Sequence, residues 1–412
     1  MERMCINRFL APLLTHSLLF MILISASVFI PLTWGQVSAD DYVITLLSEK
    51  MPLGLSCGSG AWDGKYAYVF GGWDNRHNSG VIVKYDPRNH LATALFDNLP
   101  SPRYGTAAVY ANGTVYGAHN VCYIFGGFDV GSYDPSTQIV RFWPQDEWRE
   151  ILYWNISGRG HMSAIWNGRA AYLFGGIKAP DESNPSVYLD EILKFEPVTS
   201  AETVPVEILP VKLPHVRAHT SAVWDGKNAY IFGGWYINVT RVEFLDDILK
   251  FNPATNELTT MQARLPTARA YTSAIWDGSN AYIFGGQTRL INESEITLDE
   301  IVRYNPSTDE VSILPQRLPS PRHATVAVWN GSAAYIFGGR DGIGTDAQIV
   351  MMSHESQVSR LPLSWLDLGP PLALILVGVI LPSLYAVKKY RDKSKKSPEA
   401  SPSKPSVIPQ TK

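Results

Sequence analysis

The chain has 412 residues, of which 45% are hydrophobic and 18% charged, and a formal net charge of −3. That length allows one large domain or two ordinary ones. Residues 388–412 carry 8 Lys/Arg against 2 Asp/Glu while residues 40–387 carry 25 against 35, so the main domain has the wrong sign for a nucleic-acid binder and no such partner is expected.

At the N-terminus Arg3 and Arg8 precede an apolar run from Leu18 to Ile30, and Val37-Ser38-Ala39 offers a small-x-small cleavage pattern. Residues 1–39 read as a secretory signal peptide or, alternatively, an uncleaved N-terminal anchor. Both readings place the middle of the chain outside the cytoplasm.

The middle of the chain repeats itself. AYIFGG or a near-copy recurs with double glycines starting at Gly71, Gly126, Gly175, Gly233, Gly285 and Gly338. The intervals of 55, 49, 58, 52 and 53 residues point to a propeller or another repeat array. Each unit opens with a short strand ending in an aromatic, such as SAVW at Ser221–Trp224. Asp-Gly or Asn-Gly comes next in five of the units, which predicts a type I′ hairpin turn. AYIFGG is the second strand. A third strand ends near a proline, as in ILKFNP (Ile248–Pro253), and a fourth precedes LP-x-x-R. Tyr42–Pro52 resembles the fourth strand that the last unit lacks. The pattern predicts an all-β fold over residues 40–362, a six-bladed β-propeller of four-stranded antiparallel blades closed by an N-terminal strand.

Pro371–Val387 is uncharged over 17 residues, about 25 Å of helix, slightly short of a bilayer core. Leu361–Leu368, with Trp365, extends it into the interface. Six Lys/Arg between Lys388 and Lys396 come directly after it. The expectation is a transmembrane helix at 363–387 and a basic, disordered cytoplasmic tail at 388–412, which makes this a single-pass protein of the plasma membrane with its propeller outside.

The repeated FGG, the (Tyr/Phe)-x-Pro turn after the third strand and the interval near 50 residues resemble kelch repeats over roughly Tyr42 to Leu361. Kelch repeats carry Trp in the fourth strand; here it stands at the end of the first. The resemblance implies a protein- or glycan-binding module whose loops at one end of the blades meet the partner. Some kelch proteins are enzymes instead. An acidic-sugar epimerase or mutarotase is the alternative, and a structural cell-envelope component the second alternative.

The glycine pairs sit after a strand with no helix beyond them, so they read as packing devices rather than a phosphate cradle. Seven residues before the first-strand aromatic stand Arg103, Arg159, Arg217, Arg269 and Arg322, with Leu55 in the first unit. These points ring the mouth of the channel, and His161 and His219 lie two residues on in their units. Convergent guanidiniums would hold acidic groups of a partner. The competing assignment pairs them with acids in Leu189–Glu191, Leu245–Asp247 and Leu298–Glu300. Trp73, Trp235 and Tyr236, just after the glycine pairs, are loop-face aromatics available for stacking or for covering blade edges. Sequons at Asn112, Asn155, Asn238, Asn292 and Asn330 offer N-glycosylation sites. Copper chemistry of the galactose-oxidase kind needs a converging Cys, Tyr and His set. Cys57 begins a first strand and Cys122 a second strand of the next unit, which puts them at opposite ends of the ring axis, so no disulfide is expected; His161 and His219 have no evident third ligand, so no metal or other cofactor is expected.

Overall fold

The computed structural model describes residues 42–115, 118–129, 135–179, 187–197, 203–238, 241–290 and 294–354. The segments read as signal or anchor (1–39), transmembrane helix (363–387) and tail (388–412) lie outside them. Among the described residues every regular element is a strand, and no helix is long and apolar enough to cross a membrane.

Six sheets share one plan. The first runs Ser59–Trp62, Ala67–Trp73, Asn78–Asp86, Leu91–Ala94, in that order across the sheet. The third, fourth and fifth repeat it from Ser163–Trp166, Ser221–Trp224 and Ser273–Trp276. The second starts at Ala107–Val115 and gains Thr203–Val204 as a parallel fifth strand beside Trp148–Trp154. In the sixth, Val326–Trp329, Ala333–Phe337 and Gln348–His354 are joined by the N-terminal strand Tyr42–Lys50, which pairs antiparallel with Gln348–His354.

The burial patterns explain the pairing. The second strands, such as Ala229–Phe232, are buried on both faces, because each sheet is covered by a neighbour on either side. First strands alternate buried and half-buried residues. They neighbour one another in chain order, and that of the sixth sheet also neighbours that of the first. Clusters of Tyr, Phe, Ile and Leu from two adjacent sheets fill each seam; Phe251, for example, packs on Tyr172 and Phe174 of the sheet before it.

The hairpins differ from the expected type I′ turn. Only the glycine has positive φ, as at Gly226 (φ 97°). The preceding Asp225 carboxylate instead accepts the N–H groups of Lys227 and Asn228, both at 2.6 Å. Asp63, Asn167, Asp277 and Asn330 do the same. An Asx turn supplies the reversal that a second left-handed residue would otherwise provide.

The glycine pairs tie sheet to sheet. Gly127, Gly176, Gly234 and Gly286 donate their N–H to the carbonyls of Arg159, Arg217, Arg269 and Arg322 at the start of the next sheet, at 2.8–3.0 Å. Gly339 closes on Leu55 in the same way, at 2.8 Å. A Cβ on Gly233 (φ 53°) would stand 2.3 Å from the Arg269 carbonyl oxygen. We therefore expect Gly233→Ala to destabilise by more than about 2 kcal/mol, strain and clash together. Gly226→Ala, where nothing lies within 4 Å, should cost about 1 kcal/mol from strain alone. Urea midpoints of the two variants check this, and equal costs would remove the close-approach argument.

Candidate functional site

At the end of the sheets where the glycine pairs lie, six residues share a left-handed backbone: Cys57, Gly105, His161, His219, Tyr271 and Ala324, with φ between 53° and 69°. Their backbones form a cycle. Gly105 N–H donates to the Cys57 carbonyl, His161 to Gly105, His219 to His161, Tyr271 to His219, Ala324 to Tyr271, and Cys57 to Ala324, at 2.7–3.0 Å. The left-handed turn points each N–H along the ring rather than along its own sheet. The register of the sixth unit selects Ala324, not the neighbouring His323.

Of the two assignments for the five arginines, the structure shows the internal pairing and not an open ring of cations. Each is at most 2% exposed and turns back into its own sheet, toward the first residue of the third strand. Arg217 grips Asp247 with two bonds of 2.6 and 2.8 Å. Arg159 bonds Glu191 at 2.7 Å and Arg269 bonds Glu300 at 2.5 Å. In the remaining two sheets that position is an amide: Arg103 meets Gln138 at 2.6 Å and Arg322 meets Gln348 at 2.8 Å. Ser101, Ser136 and Ser320 complete these forks, and Asp129 and Asp346 stand 3.4 and 3.5 Å away. Arg103, Arg217, Arg269 and Arg322 also donate to the first-glycine carbonyls Gly126, Gly233, Gly285 and Gly338. The guanidiniums brace the strand ends, and their backbone carbonyls carry the tie to the preceding sheet.

Above the cycle lies a bowl of about 650 Å³. The rings of His161 and His219 pack tilted against one another with centroids 3.8 Å apart, as do those of His219 and Tyr271. Tyr104 and Phe128 pack on His161 from the side. Trp73, Gln287, Glu295, His323 and Arg340 line the wall. Trp235 sits 5.8 Å from His219 and 5.9 Å from Tyr271. Tyr236 faces elsewhere, parallel to His215. The residue directly after the glycine pair is Trp73, Phe128, Ile177, Trp235, Gln287 or Arg340 in the six units, a register in which only the tryptophans stand out in the sequence. The connections expected as loops form extra hairpins here, Trp235–Asn238 with Arg241–Phe244 and Gln287–Arg289 with Glu295–Thr297. Three of the rim's side chains are large, apolar and open to solvent: Ile237 (47% exposed), Leu290 (45%) and Ile343 (95%).

Depth in the protein lowers the His161 pKa to about 3, and burial pushes His219 well below its usual value, helped by His161 and His323. Both rings keep some solvent-facing surface because the bowl opens above them, yet the packed walls leave an imidazolium poorly solvated. The floor is neutral and aromatic at physiological pH. Cys57, at its edge, is a free thiol raised to about 12 by burial. Cys122 is free and buried in the seam of the first two sheets. Among the described residues no group of three or more His, Cys, Asp or Glu is placed to hold a metal ion.

Of the sequons, exposed Asn112 lies in the long hairpin of the second sheet. Asn155 accepts the Val206 N–H at 2.8 Å, Asn330 caps its turn, Asn238 ends a hairpin strand, and Asn292 lies outside the described residues.

Antiparallel sheets in repeated units, tied by glycine pairs and opening on loop hairpins at one end, define a β-propeller-like repeat protein. The sequence profile of the KLHDC2/KLHL20/DRC7 Kelch-repeats domain matches residues 57–286 and 160–364. The chain belongs to the Kelch-repeat family. It is 26% identical over 256 residues to a Kelch domain-containing protein of Archaeoglobus fulgidus, covering 53% of this chain and 74% of the relative. A Kelch domain-containing protein of Pyrococcus furiosus is 27% identical over 241 residues, covering 57% of this chain and 65% of that protein.

Two outcomes are expected. Asp247→Ala leaves the Arg217 guanidinium buried without its counter-ion and should cost about 3–5 kcal/mol in chemical denaturation, whereas Arg169→Ala, on a side chain 74% exposed, should stay within about 0.5 kcal/mol. Equal costs would return the arginines to the partner face. The histidine pair sets a pH dependence. The unfolded chain binds protons near pH 6.5 and the folded one only near pH 3 for His161. Stability is therefore fully present above the unfolded value and falls as pH drops between the two. His161→Asn with His219→Asn, a residue that tolerates positive φ, should flatten the thermal-stability profile between about pH 6 and 4. An unchanged slope would show that the pair titrates normally.

Proposed function

We propose that this protein is a membrane-anchored, six-bladed, closed kelch propeller, displayed outside the cell, that binds a partner protein through the bowl and its rim. The hydrogen-bond cycle through six left-handed residues and the pairing of Tyr42–Lys50 with Gln348–His354 support the blade number and the closure. Family membership supports an interaction module. The observation that carries the binding assignment is the bowl itself. It has a neutral aromatic floor, an Arg340–Glu295 polar wall and exposed Ile237, Leu290 and Ile343 on three successive sheets. Concave aromatic surface with a few convergent polar groups is where binding energy concentrates.

The export signal, the uncharged run at 371–387 and the basic residues after it support anchoring with the propeller outside, and an exported chain would carry glycans on sequons of the bowl end such as Asn238. An acidic-sugar enzyme would need free cations at the mouth; with the five guanidiniums braced internally, a protein partner is the better fit, and Arg340 gives it one cation for an acidic group.

Crosslinking on intact cells, with capture of the full-length chain, provides the test. Trp73→Ala with Arg340→Glu should weaken the captured complex at least about tenfold with an unchanged melting temperature. Retained binding, with the partner lost instead on substituting exposed residues at the opposite end, would overturn the assignment.

A further inference from the structure

We propose that the end of the domain opposite the bowl rests on the headgroup region of a phospholipid bilayer, so that the bowl faces away from the membrane; this rests on the reading that the chain is membrane-anchored. First strands run from the bowl end toward the far end, and five of them end there in Trp62, Trp166, Trp224, Trp276 and Trp329; Tyr110 holds the same register in the second sheet, whose hairpin runs on to Val115. All six are half-buried and surround a recess of about 230 Å³. Indole and phenol rings, apolar in body and polar at the tip, favour the membrane–water interface.

Cations accompany them. The hairpin tips beyond Trp62, Trp166 and Trp224 carry exposed Lys65, Arg169 and Lys227. Arg169, Lys194 and Lys227 line a cleft of about 460 Å³ floored by Tyr172 and Trp224. Its one carboxylate, Glu196, is held by Lys194 at 2.9 Å, with Arg169 at 3.4 Å. The Asp63 and Asp225 carboxylates accept their own turn N–H groups, which leaves the tips cationic at their outermost side chains. A lipid phosphate fits such a cleft.

The chain path fixes which end is tethered. Tyr42 and His354, the first and last described residues, stack at 4.0 Å at this same end, and the Tyr42 hydroxyl donates to the Asp277 carboxylate beside Trp276 at 3.2 Å. Only 16 residues separate His354 from the uncharged run that opens at Pro371, a reach of at most about 55 Å. An uncleaved N-terminal anchor would enter at the same end through Tyr42. Either tether leaves the domain at the aromatic end, not at the bowl.

The full chain is reconstituted in nanodiscs of phosphatidylcholine with phosphatidylglycerol, with an energy acceptor on the headgroups. A fluorescent non-natural residue replaces Lys227 or, in a second sample, Ile343. The donor at 227 should be quenched several-fold more than the donor at 343; equal or reversed quenching overturns the proposal. A flexible insertion of about 20 Gly/Ser residues after Ser356 then separates docking from tethering. Quenching at 227 should persist with the insertion and fall when Trp62→Ser and Trp276→Ser are added. Its loss with the insertion alone would show that a tether, or a protein on this face, had set the orientation, and would overturn lipid docking. Release of the chain from membranes by alkaline carbonate would sink the anchoring reading itself, separately from the quenching pattern, and the proposal with it.

Discussion

The cycle of six backbone hydrogen bonds through Cys57, Gly105, His161, His219, Tyr271 and Ala324 is the constraint on which the rest is arranged. A backbone N–H pointing sideways from a strand entry needs a left-handed residue, and five of the six here are not glycine. Each such residue stores strain of order 1 kcal/mol or more. The surrounding contacts that hold it are those the repeat encodes: a guanidinium pinned to the third strand two residues earlier, and a glycine N–H from the preceding sheet on that arginine's carbonyl. The glycine pair is thus half of a joint whose other half is the arginine of the next unit. Leu55 shows which half is indispensable, since its carbonyl still receives Gly339 although no guanidinium stands there.

Below the cycle the same logic continues at the level of side chains. Hydroxyl pairs cross four of the seams: Ser59–Thr106, Ser163–Thr220, Ser221–Thr272 and Ser273–Thr325, at 2.6–2.8 Å. In the other two seams both members are apolar or absent: the corresponding positions hold Ala107 and Met162, and Val326 and Gly58. An unmatched buried hydroxyl would forfeit its hydrogen bond, so the exceptions come in pairs. Gly60 replaces the alanine of the other units because a Cβ there would lie 2.3 Å from Val326.

Much of this was legible in the sequence. Double glycines in phase, β-branched and aromatic runs and the Asp-Gly turns sufficed for the strand plan, and the LDE and LDD triplets held the partners of three arginines. Two steps were not. The charge of an arginine invites a binding role, yet an acid or amide at the first residue of the third strand, roughly 30 positions away in sequence, decides whether it is free. That pairing is visible only after the strands are aligned. The turn type was missed because Asp and Asn satisfy a hairpin in two ways, by adopting positive φ or by capping with the side chain, and local sequence does not choose between them.

What remains for function is set by where the repeat stops constraining. The backbone rules fix the left-handed residue and both glycines in each unit, and the arginine in five of the six, but impose nothing on the residue just past the glycines. That position holds Trp73, Phe128, Ile177, Trp235, Gln287 and Arg340. The mouth is consequently apolar along the first four sheets and polar along the last two, and the exposed Ile237, Leu290 and Ile343 crown the side where the extra hairpins rise. A ligand meeting this surface has one orientation that places its apolar part over Trp73, Trp235 and the His161–His219–Tyr271 floor and its polar part toward Gln287, Glu295 and Arg340. Quasi-symmetric joints build the frame. The unsymmetrical residues just past them give the site a direction, which a ring of five equivalent arginines could not have done.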